Sequence, residues 1–426
     1  MDYYYTMKPM DVLLFKNHKP FNADNLFASS YTDPNPSTVA GLFKWMIVNQ
    51  IARQKKTSIR ELARQELTPD QISLLQHADY HIKGTTQVNK LDDSFYLKNI
   101  FLIRNEEPSK KNIFCPTPFD LVYYETMTEV RSTTERLSIP KFKLLEDKIG
   151  VSWDGFAEIQ NLNTPIFGSK DLMMRKSAEK IPYINLESLE EYMNGKVPKI
   201  NINSNELDKP ELEHRAQIKI DNQYKTTEEN SLFFVEYLRL HASTSYLVAV
   251  SSTPEIDEIF SMYDYVNLGG ERKLVKINKS ESKYGQIIDS LIEWQDKIIA
   301  EINKTTSDET TYFSILFLTF VDLSELDQLK NYLSASLTSN SSESKEGEII
   351  IKDIISDKPR LIGGFDYKKK QMKPLRFFYP PGTVIHLQTN NRKLKKVGNI
   401  LNCSKNKNDR KNGYGSFVVC KIKEKN

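Results

Sequence analysis

The sequence predicts an α+β protein of more than one domain. Three observations carry that expectation. Short runs of β-branched and aromatic residues recur along the 426 residues, a few segments repeat apolar residues at helical spacing, and 39% hydrophobic residues can fill a core. A chain of this length is expected to divide into two or three domains.

An early strand is predicted at residues 11–15, stopped by the turn-like stretch 16–20. The first helix is well marked. Asn35 can cap it, Pro36 suits a first helical position whose amide would be unpaired anyway, and Val39, Leu42, Phe43, Met46 and Ile47 recur at helical spacing. Residues 98–104 and 119–124 read as strands, and the charged stretch 53–71 as a helical or loop insertion.

Residues 201–210 turn polar, with Asn, Asp and Pro and no apolar period, so the domain boundary is placed there, giving domains 1–205 and 206–426. Strands are expected at 216–220, 232–240 and 246–250. A long amphipathic helix follows around Ile287, Ile288, Leu291, Ile298, Ile299 and Ile302, then strands near 313–320 and 349–354. The Ser-rich stretch 334–342 reads as a flexible connection, and no internal repeat is visible.

The net charge of +3 conceals an uneven distribution. From Ile351 onward lie 19 of the 59 basic side chains but 5 of the 56 acidic ones, a local balance of +14 that leaves −11 for the first 350 residues. A concentrated positive segment on an acidic chain is the footprint of a polyanion site, or else a solvated tail. No segment is apolar for long enough to span a bilayer, and residues 1–5 lack the basic and apolar regions of a signal peptide, so a cytoplasmic location and no membrane partner are expected. Cys115, Cys403 and Cys420 are scattered and form no CxxC pair, so they read as ordinary thiols.

There is no GxxxxGK[ST], HExxH, GxSxG or DxDxDG, which removes the common phosphate-cradling, zinc, acyl-transfer and calcium chemistries, and no cofactor is expected. His77 and His81 stand four apart with no third ligand at useful spacing. His18, beside Lys16 and Lys19, could serve as a general base on an RNA 2′-hydroxyl, although a surface-loop histidine is the plainer reading.

Glycine placement is more informative. Leu268-Gly269-Gly270-Glu271-Arg272-Lys273 sets paired glycines before a strand, permitting close backbone approach while Arg272 and Lys273 offer phosphate donors; the plain reading is a hairpin turn. Gly363-Gly364 precedes Lys368, Lys369 and Lys370, and Gly413-Tyr414-Gly415 opens the final strand. Phe365, Tyr367, Phe377, Phe378, Tyr379 and Tyr414 lie among these lysines, giving charge for an RNA backbone and aromatic faces for bases.

An ordered set of segments carries a resemblance. Lys8-Pro9-Met10-Asp11-Val12-Leu13-Leu14-Phe15, Lys19-Pro20-Phe21-Asn22-Ala23 and Pro34-Asn35-Pro36-Ser37-Thr38-Val39-Ala40-Gly41 come first. Lys98-Asn99-Ile100-Phe101-Leu102, Cys115-Pro116-Thr117-Pro118-Phe119-Asp120-Leu121, Glu213-His214-Arg215 with Ile218, residues 268–273, Pro381-Gly382-Thr383-Val384 and Gly413-Tyr414-Gly415 follow in order. Together they resemble Cmr subunit three of type III-B CRISPR effector complexes, a family of the RAMP superfamily. Lys16 stands where that family commonly has Arg, and Leu42-Phe43-Lys44 where it commonly has Ala-Leu-Arg, so charge is kept while forked geometry is lost.

The resemblance implies two ferredoxin-like, RRM-like domains with insertions, glycine-rich loops and a thumb-like hairpin. It implies a non-catalytic subunit that binds the repeat-derived 5′ tag of the CRISPR RNA and docks to the large polymerase-cyclase subunit and the first backbone subunit, meeting target RNA indirectly. The residues it points to for RNA are Lys16, Lys19, Phe21, Asn22, Ser37, Thr38 and Lys44 in the first part of the chain. Further on they are Gly269, Gly270, Arg272, Lys273, Gly364, Lys368, Lys369, Lys370, Gly413, Tyr414 and Gly415. The amides of Ser37, Thr38 and Val39, with two hydroxyls, are expected either to bind a tag phosphate or simply to be capped. Residues 53–79 and 126–146 match nothing in the family pattern, and either could be the thumb or a partner contact.

Two rival classes stand beside this expectation. A metal-independent RAMP endoribonuclease processing repeat RNA would use His18 or Tyr414 as base with Lys16 or Lys19 steadying the transition state. An adaptor without RNA contact would use the basic segment to dock an acidic partner.

Overall fold

The structure, a computed structural model, describes residues 1–15, 27–28, 30–80, 95–125, 132–136, 182–196, 198, 210–220, 226–305, 311–322, 329, 333, 349–366, 371–389, 394, 401–402 and 407–422. The chain begins with β1 (Asp2–Pro9), β2 (Phe27–Ala28), α1 (Pro36–Gln54), α2 (Pro69–His77), β3 (Tyr96–Arg104) and β4 (Ile113–Pro116). It continues through β5 (Leu121–Glu125), β6 (Ser132–Arg136), β7 (Tyr183–Asn185), α3 (Leu186–Met193), β8 (Glu211–Ile220), β9 (Thr227–Arg239) and β10 (Thr244–Ser251). After these come α4 (Pro254–Ser261), β11 (Tyr265–Leu268), β12 (Lys273–Lys279), α5 (Ser282–Thr305), β13 (Thr311–Phe317), β14 (Val321–Asp322) and β15 (Ile349–Ile355). The remainder holds β16 (Arg360–Ile362), β17 (Phe365–Asp366), β18 (Gln371–Met372), β19 (Arg376–Tyr379), β20 (Val384–Thr389), β21 (Leu401–Asn402), a short helix Lys407–Lys411 and β22 (Ser416–Lys421).

The class is α+β, as expected, with antiparallel pairing throughout the two larger sheets. The first has the order β11-β12-β1-β10-β3-β4-β7 and the second β15-β20-β13-β22-β21. Each contains four principal strands, β1, β3, β10 and β12 in one and β13, β15, β20 and β22 in the other. In both sheets the first and third of these are adjacent and central, the second lies beside the third, and the fourth beside the first.

One face of the first sheet offers Tyr5, Met7, Tyr246, Val248, Val275 and Ile277 to the buried side chains of α1 and α4. The other face offers Phe101, Ile103, Cys115 and Leu247 to α3 and α5. Tyr192 and Met193 of α3 and Leu291, Ile298 and Ile302 of α5 share that same cluster with Ile315, Phe317, Val419 and Ile385 of the second sheet. The helices α3 and α5 are therefore buried between two sheets. Each aliphatic side chain removed from water there contributes roughly 1.5–3 kcal/mol of transfer free energy.

Local rules explain the helix starts. The Asn35 side chain accepts from the Ser37 amide at 3.1 Å and Pro36 opens α1. Thr68 and Gln71 form a reciprocal capping box before α2, with Pro69 inside it. Among the described residues, no helix is long and apolar enough to cross a membrane.

Two expectations need correction. Residues 11–15 are not a sheet strand: Leu13 makes an isolated bridge to Leu238, while Val12 and Leu14 pack on Val235 and Tyr237. The strand lies earlier, at Asp2–Pro9, where alternate residues Tyr5 and Met7 are fully buried and both backbone edges are paired, with β10 and with β12. The expected boundary at residue 205 lies outside the described residues, but β10, β11 and β12 beyond it complete the first sheet. The change from one sheet to the other comes with α5. The expected flexible stretch 334–342 also lies outside the described residues.

Leu291→Ala opens a cavity in the cluster shared by both sheets and is expected to cost about 2–5 kcal/mol. Chemical denaturation followed by far-ultraviolet circular dichroism and by tyrosine fluorescence checks this, with both signals shifting together.

Candidate nucleic-acid interface

The turn between β11 and β12 is built by Gly269 and Gly270. Gly269 has φ +75°, and a Cβ there would stand 2.6 Å from the Leu14 carbonyl oxygen, so only glycine fits. The Gly270 amide donates to that same carbonyl at 2.8 Å. Two consecutive non-glycine residues follow in the left-handed region, Glu271 at φ 54° and Arg272 at φ 51°, which is strained for side chains of this size. Side-chain contacts hold the conformation. The Tyr237 hydroxyl donates to Glu271 Oε2 at 2.5 Å, Lys273 Nζ lies 3.2 Å from the same oxygen, and that ammonium sits 4.4 Å from the Tyr237 ring centroid.

Lys273 is thus neutralised within the turn. Arg272 is exposed and has no partner among the described residues. Beside the turn, the Arg215 guanidinium forks onto Asp11 at 2.9 and 3.0 Å and Arg239 adds a bond of 3.0 Å. The hydrogen bonds from Arg215 hold the Asp11 carboxyl down to about 2. Glu213 closes the network on both arginines, so this part of the resemblance braces the β8–β9 hairpin.

The start of α1 is occupied by the protein itself. The Ser37 amide is bonded to Asn35 Oδ1, and those of Thr38 and Val39 reach the Asn35 carbonyl at 2.9 and 3.3 Å. The Tyr414 hydroxyl donates to Asn35 Oδ1 and lies 3.1 Å from the Ser37 hydroxyl. The amides of Ser37, Thr38 and Val39 and the Ser37 hydroxyl are thus used in the helix cap, the plainer of the two expectations for this segment.

Tyr414 is not a platform for a base. Its side chain is 4% exposed and its ring packs 4.8 Å from that of Phe378. Burial pushes its phenol up to about 12, which also makes it a poor proton acceptor near neutral pH. Flanking glycines let it reach this position: Gly413 at φ +84° and Gly415 at φ +73° turn the chain, and the Gly413 Cα faces Leu97 of β3. Lys44 is similarly engaged, with Nζ 2.6 Å from Asp79 Oδ2 and 2.7 Å from Asn412 Oδ1. Burial, opposed by the Asp79 charge, draws its ammonium below the ordinary value.

Much of the basic segment's described charge is spent the same way. Arg360 meets Asp33 at 3.0 Å, Arg376 bridges Asp322 and Asp409, Lys411 approaches Asp79 and Lys421 meets Glu301. Gly363-Gly364 leads into the β17–β18 hairpin, closed by the Lys373 amide donating to the Gly364 carbonyl at 2.8 Å. Gly364 is exposed, and Phe377 nearby in sequence is 55% exposed while Phe378 is 2%. Among the described aromatics of this group, Phe377 is the one with a largely exposed ring.

Lys16, Lys19, Phe21, Asn22, His18, Tyr367, Lys368, Lys369 and Lys370 lie outside the described residues. Sequence reasoning missed Asp33, which accepts from Arg360 and, at 2.9 Å, from the Tyr183 hydroxyl, joining segments far apart in the chain. A half-open cleft beside it is lined by Asp33, Pro36, Phe101, Tyr246 and Phe320.

The geometry defines an α+β protein that presents glycine-built turns, an exposed arginine with no partner among the described residues and an exposed aromatic ring. The family model described as CRISPR-associated protein (Cas_Cmr3) matches residues 5–422, and the chain belongs to that family. No curated protein matches the chain. Among solved structures it is similar to a chain of the type III-B Cmr-β complex bound to cognate target RNA and AMPPnP, with 16% identity, 90% of this chain and 86% of that chain covered, and a TM-score of 0.40. The same complex bound to cognate target RNA gives 15% identity, the same coverage and a TM-score of 0.40. A chain of the Csm3-Csm4 subcomplex of the type III-A CRISPR-Cas interference complex gives 13% identity, 100% coverage of both chains and a TM-score of 0.30.

Tyr414→Phe is expected to cost about 1 kcal/mol of stability, the net worth of one buried hydrogen bond, without weakening RNA binding. The native phenol keeps its proton up to about 12 while an unfolded one releases it near 10. The native state therefore binds more protons in that interval, so stability falls as pH rises through it, and the variant flattens the fall. Denaturant titrations at pH 7 and at alkaline pH check both points.

Proposed function

We propose that this chain is a non-catalytic RNA-anchoring subunit of a type III-B CRISPR complex. It holds the repeat-derived 5′ tag of the CRISPR RNA and packs against the large polymerase-cyclase subunit and the first backbone subunit. The observation that carries the reading is Arg272. It stands exposed, with no partner among the described residues, on a turn that Gly269, Gly270 and the Tyr237–Glu271–Lys273 contacts hold in one strained shape, in a chain of a CRISPR-associated family. With the backbone of the turn held in advance, only the Arg272 side chain has to be ordered on meeting a phosphate. The exposed ring of Phe377 and, in the sequence, Lys368, Lys369 and Lys370 supply a base face and further charge to the same reading.

The strand order repeated in both sheets is that of a split β-α-β unit, which supports two ferredoxin-like domains. In the first, α1 joins the first principal strand to the second and α4 the third to the fourth, both on one face. The repeat-processing alternative draws no support from Tyr414, whose hydroxyl is buried in the α1 cap.

Affinity capture of the chain from its host, with sequencing of co-purified RNA and mass spectrometry of co-purified proteins, tests this. RNAs sharing one short 5′ repeat-derived tag, recovered with a large polymerase-like subunit, are expected. Replacing Arg272, Lys368, Lys369 and Lys370 by Ala is expected to strip the tagged RNA and to lower the salt slope of its binding by up to about 3. Uncut repeat precursors, or no RNA at all, would overturn the reading.

A further inference from the structure

The face of the first sheet that meets α3 and α5 is covered over only part of its width. On β1 the alternate residues Tyr4, Thr6 and Lys8 point to that face, and Tyr4 packs against the cluster that contains α5. Among the described residues the cover ends towards the β11 edge. Lys8 stands directly opposite Lys276, and Lys276 directly opposite Tyr265, so one row across β1, β12 and β11 reads Lys, Lys, Tyr. In the next row Leu274 stands opposite Asn267, and the Met10 amide donates to the Leu274 carbonyl at 3.0 Å. Lys8, Lys276 and Asn267 are exposed, and Tyr265 is 49% exposed.

Like charges directly opposite each other on neighbouring strands destabilise the pairing. Several described lysines face carboxylates, among them Lys98 with Asp2, Lys279 with Asp257, Lys273 with Glu271 and Lys44 with Asp79. Lys8 and Lys276 have none among the described residues. Two unpaired ammoniums side by side, with a half-exposed ring on one flank and the amides of Asn267 and Asn278 on the rows above and below, match what a single strand of RNA offers. Its phosphate can lie between the lysines, a base on the ring, and a base edge against an amide. An acidic protein surface would satisfy the charges and leave the ring and amides without a use.

We propose that this open face of β1, β12 and β11, centred on Lys8, Lys276 and Tyr265, is a second contact for single-stranded RNA. The inference rests on the RNA-anchoring reading and extends it. Lys276 lies four residues beyond Arg272 on the strand that leaves the glycine turn, about 13 Å at the rise of a strand, so a strand bound at the turn can continue over the sheet.

The test uses the purified full chain, a labelled oligouridylate of about 12 nucleotides and an RNA bearing the repeat-derived tag. Lys8→Gln combined with Lys276→Gln is expected to leave the melting temperature unchanged or higher, since a repulsion is removed, and to lower the slope of log affinity against log salt by about 1.4 for both RNAs. Tyr265→Ala is expected to weaken binding about fivefold or more. If wild type binds RNA and all variants bind with the same affinity and slope, the inference is overturned and the anchoring reading stands. If wild type binds neither RNA, both fall. If the variants keep RNA but the chain captured from its host loses a protein subunit, the face belongs to a protein partner and the inference is overturned.

Discussion

The burial of α3 and α5 between two antiparallel sheets is the constraint on which the rest of the molecule depends. One apolar cluster runs from Phe101 and Ile103 of β3 through Tyr192, Leu291 and Ile298 to Ile315, Phe317 and Val419. Because the helices serve both sheets, neither sheet can shift without opening a cavity beside the other. The turns at the sheet ends are therefore held at fixed separations. The Gly413-Tyr414-Gly415 loop of the second sheet adds a polar lock, reaching over Leu97 to the cap of α1.

Electrostatics follow from that frame. The basic excess after residue 350 suggests a long positive surface, yet Arg360, Arg376, Lys411 and Lys421 all face carboxylates, several from the acidic first part of the chain. Exposed pairs of this kind add little stability one at a time. Arg376, set between Asp322 and Asp409, is better placed because both carboxylates are largely buried and need a cation. Among the described residues, Arg272 on its strained turn is an exposed donor with no facing carboxylate, a single placed cation and not part of a uniformly positive face.

Legibility in the sequence followed the range of the interaction. The start of α1 was readable because Asn35, Pro36 and the apolar period are local, and α5 because its period runs over many turns. The capping expectation at Ser37 was sound, but its partner Tyr414 is 377 residues away, so its capture of the cap could not be read. The same holds for Lys44, whose neighbours Asp79 and Asn412 come from distant segments, and for the facing of Lys8 by Lys276, which depends on strand register. Residues 11–15 have the β-branched and apolar character of a strand, yet β10 and β12 take both edges of Asp2–Pro9 instead. The paired glycines at 269 and 270 were legible as a turn; the left-handed Glu271 and Arg272 after them were not, since no local rule places side chains of that size there.

The most direct test of the central claim is ultraviolet crosslinking of the native complex, with mass spectrometry of the peptides and sequencing of the joined nucleotides. The account predicts that nucleotides of the repeat-derived 5′ tag are joined to peptides containing Arg272 and to peptides spanning Gly364 and Phe377. Crosslinks confined to the guide portion of the RNA, or found on every subunit but this one, would contradict it.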